Sequence, residues 1–307
     1  MKSNNSRTSV VSLHNAQMQI PDLSGVTELP LHPNLRRKRG RKLIAFGWYG
    51  GKFSHLDWLL PLLPVTHQYC EPFGGSAAVL LNRQPSPVET YNDIDGEVVN
   101  FFRVLREQKH ALVEAIGLTP FSREEFQQAI SGINGALSSL ERARKFFIRA
   151  RQVRTGLAQK ASSGRWANCL LTSRAGMAGV VSRWLGSVED LPWVAQRLLR
   201  VQIENAPAIE VIKRYDSKDT LFYCDPPYPH DSRRDSNAYA YEMSDDEHRE
   251  LAHVLHKAKG RVALSSYHCK LMNELYKDWR CIEAPKKNCH SVKKLRQEIL
   301  WVNYDIR

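Results

Sequence analysis

The 307-residue sequence lacks several features that define particular protein classes. It has no run of about 18 apolar residues, which argues against a membrane span. Its N-terminus has no apolar signal-peptide core, so we expect a cytoplasmic protein. The six cysteines include no C-x-x-C pair, and Cys281, Cys289 and His290 form only a loose group. Because zinc sites use closer pairs of ligands, we expect reduced cysteines and no metal.

Acidic residues are absent from one long segment. Between Arg142 and Val188 there are ten Lys or Arg residues and no Asp or Glu, in a chain of net charge +12. A second basic cluster covers residues 36–42. Charge of a single sign over such a length favours a polyanionic partner, which Arg151 and Arg154 would help to bind. A solvated basic face without a partner is the alternative interpretation.

Hydrophobic patterning divides the chain into three parts. Residues 1–40 are rich in Ser, Asn, Pro and Arg without periodicity, which predicts a flexible basic tail. Alternating strands and helices are predicted over 41–105 and 200–307. The predicted strands cover residues 66–71, 88–91, 220–224, 261–265 and 298–304. This α/β alternation predicts a mostly parallel sheet with helices on both faces.

The alternation is lost over 106–199, where most of the positive charge lies. The pattern predicts a helix over 122–155, followed by loops or a hairpin over 156–173. We therefore expect a mostly helical module inserted between the two parts of the sheet. A second helix near the C-terminus is predicted to begin with a capping box at Ser244 and to stop at Gly260.

The tetrapeptide Asp225-Pro226-Pro227-Tyr228 directly follows the predicted strand at 220–224. Two consecutive prolines fix φ and remove backbone donors, so this turn offers acceptors only: the Asp225 carboxylate and the Pro226 carbonyl. An exocyclic amino group, which has two hydrogens to donate, matches such a turn. Tyr228 is placed to stack on a planar ring. An ordinary strand-to-loop turn is the alternative interpretation.

Three further motifs surround this turn in the predicted fold. Glycines in residues 71–76 allow a ligand close to the backbone, and no Gly-Lys-Ser/Thr follows, which excludes a P-loop. Asp93 ends the next strand, where it can accept hydrogen bonds from ribose hydroxyls or cap a helix, a role that Asp95 also fits. Residues 48–52 are Trp-Tyr-Gly-Gly-Lys, either a loop over a flat polar ligand or a simple turn.

In the order W-x-G-G-K, E-P-F-x-G, N-D and D-P-P-Y, these motifs resemble the Dam-type (DPPY) family of adenine-specific DNA methyltransferases, over about residues 46–304. The resemblance implies a Rossmann-like, S-adenosylmethionine-dependent methyltransferase sheet, with a target-recognition insertion that acts on duplex DNA. It implies a cofactor pocket lined by Trp48, Lys52, Phe73, Gly74, Asp93 and Asp225. It implies catalysis by Asp225, Pro226, Pro227 and Tyr228 on the 6-amino group of a flipped-out adenine.

Two positions depart from the family pattern. Ala77 stands where many members have a further glycine, which narrows the backbone freedom beside the pocket. Ala206 stands where an acidic residue often precedes the catalytic strand, which leaves Asn205 as the candidate contact to the cofactor adenine.

The acceptor turn serves any exocyclic amine, so an RNA adenine or a DNA cytosine amino-methyltransferase remains an alternative. Asp rather than Ser at the first position favours adenine by resemblance. A nucleic-acid-binding protein with a decayed catalytic site is an alternative of another class. The sequence leaves open the recognition site and the oligomeric state. It also leaves open whether the protein marks the DNA of a prokaryotic host, acts with a restriction endonuclease partner or protects a phage genome.

Overall fold

The computed structural model describes residues 42–131, 137–154, 165–232, 241–285 and 297–306. The predicted tail, Cys289 and His290 lie outside these residues. The strands are β1 Gln68–Glu71, β2 Val88–Asn92, β3 Ser173–Arg174, β4 Met177–Ala178, β5 Val201–Glu204, β6 Thr220–Cys224, β7 Arg261–Tyr267, β8 Arg280–Glu283 and β9 Glu298–Val302.

The α-helices alternate with the strands of the sheet in the described residues, except between β2 and β5, where several helices follow one another, and between β8 and β9. They are α1 Leu56–Leu59, α2 Ala78–Asn82, α3 Gly96–Glu107, α4 Lys109–Gly117, α5 Arg123–Ser131, α6 Ser139–Gln152, α7 Gly179–Leu198, α8 Ala208–Tyr215, α9 Asp245–Lys257 and α10 Lys270–Leu275. None of the helices in the described part of the chain is long and apolar enough to cross a membrane.

Seven strands form one sheet in the order β5-β2-β1-β6-β7-β9-β8. The first five run parallel, with Gln68 of β1 opposite both Val88 and Thr220, and β9 runs antiparallel to β7 and to β8. The predicted mostly parallel α/β sheet is confirmed. The chain leaves β1 toward β2 and β5 on one side and continues through β6 and β7 on the other. Ligands bind beyond the carboxyl ends of strands at such a reversal point, here between β1 and β6.

Local signals explain where the helices of the sheet domain begin. Asp95 caps α3 by accepting a hydrogen bond from the backbone N–H of Glu97, as predicted. Ser244 and Glu247 form the predicted capping box of α9. The predicted stop of α9 was wrong, since it ends at Lys257 with an extended cap residue. Gly260 instead permits close packing, because a Cβ there would lie 2.9 Å from the Thr220 carbonyl oxygen.

Three strands differ from the sequence prediction. The final strand ends at Val302 rather than continuing to 304, and the Asn303 side chain beyond its end accepts a hydrogen bond from the Val262 N–H. The strands β5 and β8 were not predicted. Each is four residues long, β5 is only partly buried and β8 is mostly exposed, so both carry little apolar signal.

The helical insertion packs directly on the sheet domain. The helix predicted over 122–155 is two helices, α5 and α6, and Ser138 caps the second. The helix α6 packs against α3, and its buried Phe146 and Phe147 belong to the same apolar core as Tyr91 of β2. A two-stranded hairpin of β3 and β4 follows, which begins at the last residue of the predicted 156–173 segment; residues 155–164 are outside the described residues.

Candidate active site

A cavity of about 600 Å³ lies where β1, β2 and β6 end. Its wall combines the segments that directly follow these strands with residues of α8 and α9. All six residues predicted to line a cofactor pocket are in this wall: Trp48, Lys52, Phe73, Gly74, Asp93 and Asp225. Pro227 also lines the cavity, whereas Pro226 is buried behind it. Residues far apart in sequence thus meet at one edge of the sheet.

The glycine turn after β1 is required by the protein's own packing. A Cβ on Gly74 would lie 2.2 Å from the ring of Tyr91, and a Cβ on Gly75 would lie 2.7 Å from the indole nitrogen of Trp48. Gly75 also has a positive φ of 48°, a conformation that L side chains rarely adopt. The chain therefore passes between two aromatic rings at the point where it forms the cavity wall.

Asp93 ties the end of β2 to this glycine turn. One carboxylate oxygen accepts a hydrogen bond from the Gly75 N–H at 2.7 Å, and the other accepts from the Asp95 N–H at 2.8 Å. Burial raises the pKa of Asp93 to about 6, and these backbone donors offset part of that effect. Asp93 thus shapes the loop that it lines, while the capping of α3 belongs to Asp95.

Two asparagines fix the neighbouring part of the wall. The Asn92 amide donates to the carbonyls of Pro72 and Ala206 and accepts from the Ala206 N–H. The Asn205 amide donates to the carbonyls of Asp93 and Ile94. Asn205 therefore holds the chain after β2, and the cavity wall beside it is made by residues 207–209.

Ala77 adopts the left-handed conformation, with φ 54° and ψ 26°, directly before α2. This conformation costs a non-glycine residue about 1–2 kcal/mol. Ala77 is fully buried, so its methyl group contributes packing that offsets part of this cost. The position where the sequence departs from the family's glycine is thus one where glycine would adopt the same backbone without strain.

The Asp225-Pro226-Pro227-Tyr228 turn is held by Lys52. The Lys52 Nζ lies 2.7 Å from each carboxylate oxygen of Asp225 and donates to the Gly50 carbonyl at 2.7 Å. Lys52 is 3% exposed. Burial opposes its charge, but Asp225 and Glu298 outweigh burial and raise its pKa above the ordinary value. Burial also raises the pKa of Asp225, and Lys52 counteracts part of that rise.

Tyr228 lies beneath the turn and is 2% exposed. Its ring packs edge-on against Tyr267, with 4.7 Å between centroids, and the Lys52 Nζ lies 5.0 Å from its centroid. Its hydroxyl donates a hydrogen bond to Glu298. The expected stacking of this ring on a base stays a prediction, and it requires the ring to become accessible from the cavity.

The cavity is rich in carboxyl groups although the chain is strongly basic. Lys52 and Lys213 are the lysines of its wall. The acidic side chains of the wall are Glu71, Asp93, Glu210, Asp225, Glu242, Glu247 and Glu250. Glu71 is buried, its Oε1 accepts from the Tyr69 hydroxyl at 2.6 Å, and burial raises its pKa to about 8. This wall favours a cationic ligand.

A family model described as D12 class N6 adenine-specific DNA methyltransferase matches residues 48–297, most of the chain. The chain belongs to this family. This D12-class methyltransferase is 25% identical over 245 residues to the DNA adenine methylases of two Vibrio cholerae serotype O1 strains, covering 75% of this chain and 83% of each relative. The rRNA methyltransferase aviRa of Streptomyces viridochromogenes covers 87% of this chain at 14% identity, with a TM-score of 0.33, too low to support an inference.

Family membership makes the chain an N6 adenine-specific DNA methyltransferase whose methyl donor is S-adenosylmethionine. Family membership favours adenine in DNA as the substrate over the RNA and cytosine alternatives. It also favours an active enzyme over a protein with a decayed catalytic site. The carboxyl-rich wall and the aromatic rings of Trp48 and Phe73 fit a cationic sulfonium cofactor that carries a planar base.

Several arginines of the segment without acidic residues contact acidic side chains from other parts of the chain. Arg142 bonds Glu97 of α3, and Arg149 donates to the Ala129 carbonyl at 2.8 Å and lies beside the same glutamate. Arg144 donates to Glu125 at 3.0 Å and to Glu141 at 2.8 Å. These arginines join α6 to neighbouring helices, so part of the basic segment serves the fold.

Arg151 is half-buried, which the sequence did not reveal. Burial lowers its pKa to about 10, and the charge of Asp190 on α7 counteracts part of the effect. The expectation that Arg151 binds a polyanion stays a prediction. Arginines of the segment that are exposed in the described residues are Arg154, Arg165, Arg174 and Arg183.

Proposed function

We propose that this methyltransferase modifies adenine N6 in duplex DNA, with S-adenosylmethionine in the cavity and the target amino group at the Asp225-Pro226 turn. The main support for this proposal is that Asp225 lines the cavity formed by the glycine turn, and that Lys52 holds its carboxylate. An acceptor is thereby fixed next to the space for the methyl donor.

The Asp225 carboxylate and the Pro226 carbonyl accept the two hydrogens of N6. These hydrogen bonds draw the nitrogen lone pair out of the ring and toward tetrahedral geometry, and they stabilise the positive charge that develops on the nitrogen. The cofactor supplies an electrophilic sulfonium methyl group. The new N–C bond forms as the S–C bond breaks, and N6 then releases one proton to water.

The other predicted site residues bind and orient in this scheme. Trp48 and Phe73 provide apolar contact, Gly74 allows close approach to the backbone, and Asp93 accepts from ribose hydroxyls while it holds the glycine turn. Lys52 fixes Asp225. Because a sulfonium methyl is already activated, we propose that transfer needs no metal.

The target base must leave the helix to reach this turn, since N6 is paired inside a duplex. We propose that Tyr228 stacks on the flipped adenine once its ring is uncovered. A phenylalanine at this position would keep stacking and lose the hydroxyl that Glu298 binds. Comparing Tyr228→Phe with Tyr228→Ala therefore separates the two roles of this side chain.

We propose that residues 106–199 form the target-recognition insertion, that 41–105 and 200–307 form the catalytic domain, and that 1–40 form a basic tail. The exposed arginines of the insertion support this division, since they supply the phosphate contacts that DNA binding requires. Its DNA substrate would place the enzyme in the cytoplasm of a prokaryotic cell.

The test is transfer of labelled methyl groups from S-adenosylmethionine to duplex DNA, single-stranded DNA and RNA, with digestion of the products to nucleosides. We expect N6-methyladenine from duplex DNA, at a rate unchanged by EDTA. Label only in RNA, or in cytosine, would overturn the proposal, and loss of activity in EDTA would overturn its metal-free form.

A further inference from the structure

Glu298 is a buried carboxyl group that none of the four motifs includes. It is the first residue of β9, lies opposite Tyr267 in the antiparallel ladder with β7, and is 4% exposed. The remaining residues of β9 are apolar. Burying a carboxylate is costly unless it is paired, so its presence at the head of an apolar strand requires an explanation.

Glu298 contacts two parts of the catalytic turn. Its Oε1 accepts the hydrogen bond of the Tyr228 hydroxyl, and the same atom lies 3.5 Å from the Lys52 Nζ. Lys52 in turn bonds both oxygens of Asp225. One lysine is therefore shared by two carboxylates, and Tyr228 joins the second of them to the turn.

The charges of this cluster do not cancel. Lys52 contributes one positive charge, whereas Asp225 and Glu298 together contribute two negative charges when both are ionised. A lysine that served Asp225 alone would neutralise it and weaken it as an acceptor. A second carboxylate on the same ammonium leaves a net negative charge beside the position where the amino nitrogen becomes positive.

We propose that Glu298 is a positioning residue for methyl transfer: it anchors Tyr228 and shares Lys52 with Asp225, which keeps the Asp225 carboxylate fixed and leaves a net negative charge beside the target amino group. The proposal rests on the proposed role of Asp225 as acceptor. Glu298 itself contacts neither adenine nor cofactor in this scheme.

The electrostatics of the cluster give this role a measurable signature. Burial raises the pKa of Glu298, Lys52 lowers it in part, and the charge of Asp225 raises it further. The two carboxylates share the Lys52 ammonium, so removal of the Glu298 charge leaves Lys52 to Asp225 alone and should lower the pKa of Asp225. The ionisable side chains that face the cluster are Lys52, Glu71, Tyr223, Asp225, Tyr228 and Tyr267.

The decisive variant is Glu298→Gln, which keeps the size and an acceptor for Tyr228 and removes the charge. We expect kcat to fall about tenfold, less than the hundredfold or more typical of a group that contacts the transition state. KM for S-adenosylmethionine and for duplex DNA should stay within about twofold. Because Asp225 acts ionised, kcat falls at low pH, and in the variant this fall should begin at a lower pH.

Two variants serve as controls. Glu298→Asp keeps the charge with a shorter reach and should restore part of the lost kcat and the wild-type pH profile. Glu283→Gln removes an exposed carboxylate on the adjacent strand β8 and should behave as wild type. Thermal unfolding of each variant identifies any loss of fold.

Wild-type kcat and pH profile in Glu298→Gln would overturn the proposal. A lower kcat with an unmoved pH profile would also overturn it, since that result indicates only a structural role. Asp225→Ala, which removes the acceptor, tests the underlying function separately. If Asp225→Ala is inactive and Glu298→Gln is normal, the Glu298 inference alone fails; if Asp225→Ala is active, the proposed function fails.

Discussion

The cavity and the exposed surface of residues 142–188 carry side chains of opposite charge. The cavity wall has seven carboxyl side chains and two lysines, whereas the described surface of residues 142–188 exposes Arg154, Arg165, Arg174 and Arg183. The net charge of +12 does not reveal this division. A sulfonium cofactor is cationic and DNA is a polyanion, so each ligand is matched by its own region.

The insertion contains a second contrast, between arginines that pair inside the protein and arginines that face solvent. Arg144 and Arg149 bond carboxylates or carbonyls of neighbouring helices, while Arg154 and Arg174 are exposed. A run of one charge in sequence therefore overstates the charge available to a partner. The following changes test both contrasts.

Asp225→Ala should have the largest effect, because it removes an acceptor from the cavity and leaves the basic surface intact. We expect methyl transfer to fall at least about thousandfold and duplex affinity to stay within about twofold. Single-turnover kinetics measures methyl transfer, and fluorescence anisotropy measures duplex affinity. Asp57→Ala, a change at an exposed carboxylate, is the control. Near-normal turnover would remove Asp225 from the chemistry.

Glu71→Gln tests the buried end of the acidic cavity. Burial raises the pKa of Glu71 from 4.5 to about 8, so ionising it in the folded protein costs stability as pH rises through this interval. Glutamine does not ionise, so the variant does not lose this stability. Relative to wild type, its unfolding free energy should rise by up to about 4 kcal/mol between pH 4.5 and 8. Urea unfolding of the variant and the wild type at pH 4.5 and at pH 8 measures this change. A difference in unfolding free energy that is independent of pH would contradict the assigned pKa.

Arg151→Met and Arg154→Met compare a half-buried and an exposed arginine three residues apart. Loss of Arg151 removes a positive charge beside the buried Asp190, so the unfolding free energy should fall by about 2 kcal/mol. The exposed Arg154 should change it by less than about 0.5 kcal/mol. Equal effects in thermal or urea unfolding would show that the two arginines do not differ in this way.

Arg165→Ala combined with Arg174→Ala should have the smallest energetic effect. Both side chains are exposed in the insertion, so duplex affinity should weaken about tenfold and the salt slope of binding should fall by about two. Arg214→Ala, an exposed arginine of α8 paired with Glu204, is the matched control. Unchanged affinity at low salt would place the DNA elsewhere.

The sequence predicted those parts of the site that have local signals. Proline or glycine directly after a short apolar strand identifies a strand end, and parallel strands bring their carboxyl ends to one edge. The Asp225 turn, the glycine turn and Asp93 were found in this way. The inserted helices were found by the loss of alternation, although the break between α5 and α6 was not.

Side-chain partners distant in sequence could not be predicted. Lys52 and Asp225 are 173 positions apart, and Tyr228 and Glu298 are 70 positions apart. No periodicity links such pairs, because their contact depends on strand order. The charge at the head of the apolar strand β9 was a local signal for Glu298, but it did not indicate its partners. The partial burial of Arg151 had no local signal, since the nearby Asp190 lies on another helix.

The division of charge is tested most directly by the salt dependence of wild-type affinity for duplex DNA and for S-adenosylmethionine, measured on one preparation. Exposed arginines release counterions from DNA, so duplex affinity should fall steeply with the logarithm of salt concentration. A single cation in a carboxyl-lined cavity should lose less than about threefold over the same range. Similar slopes for the two ligands would contradict the separation of the acidic cavity from the basic surface.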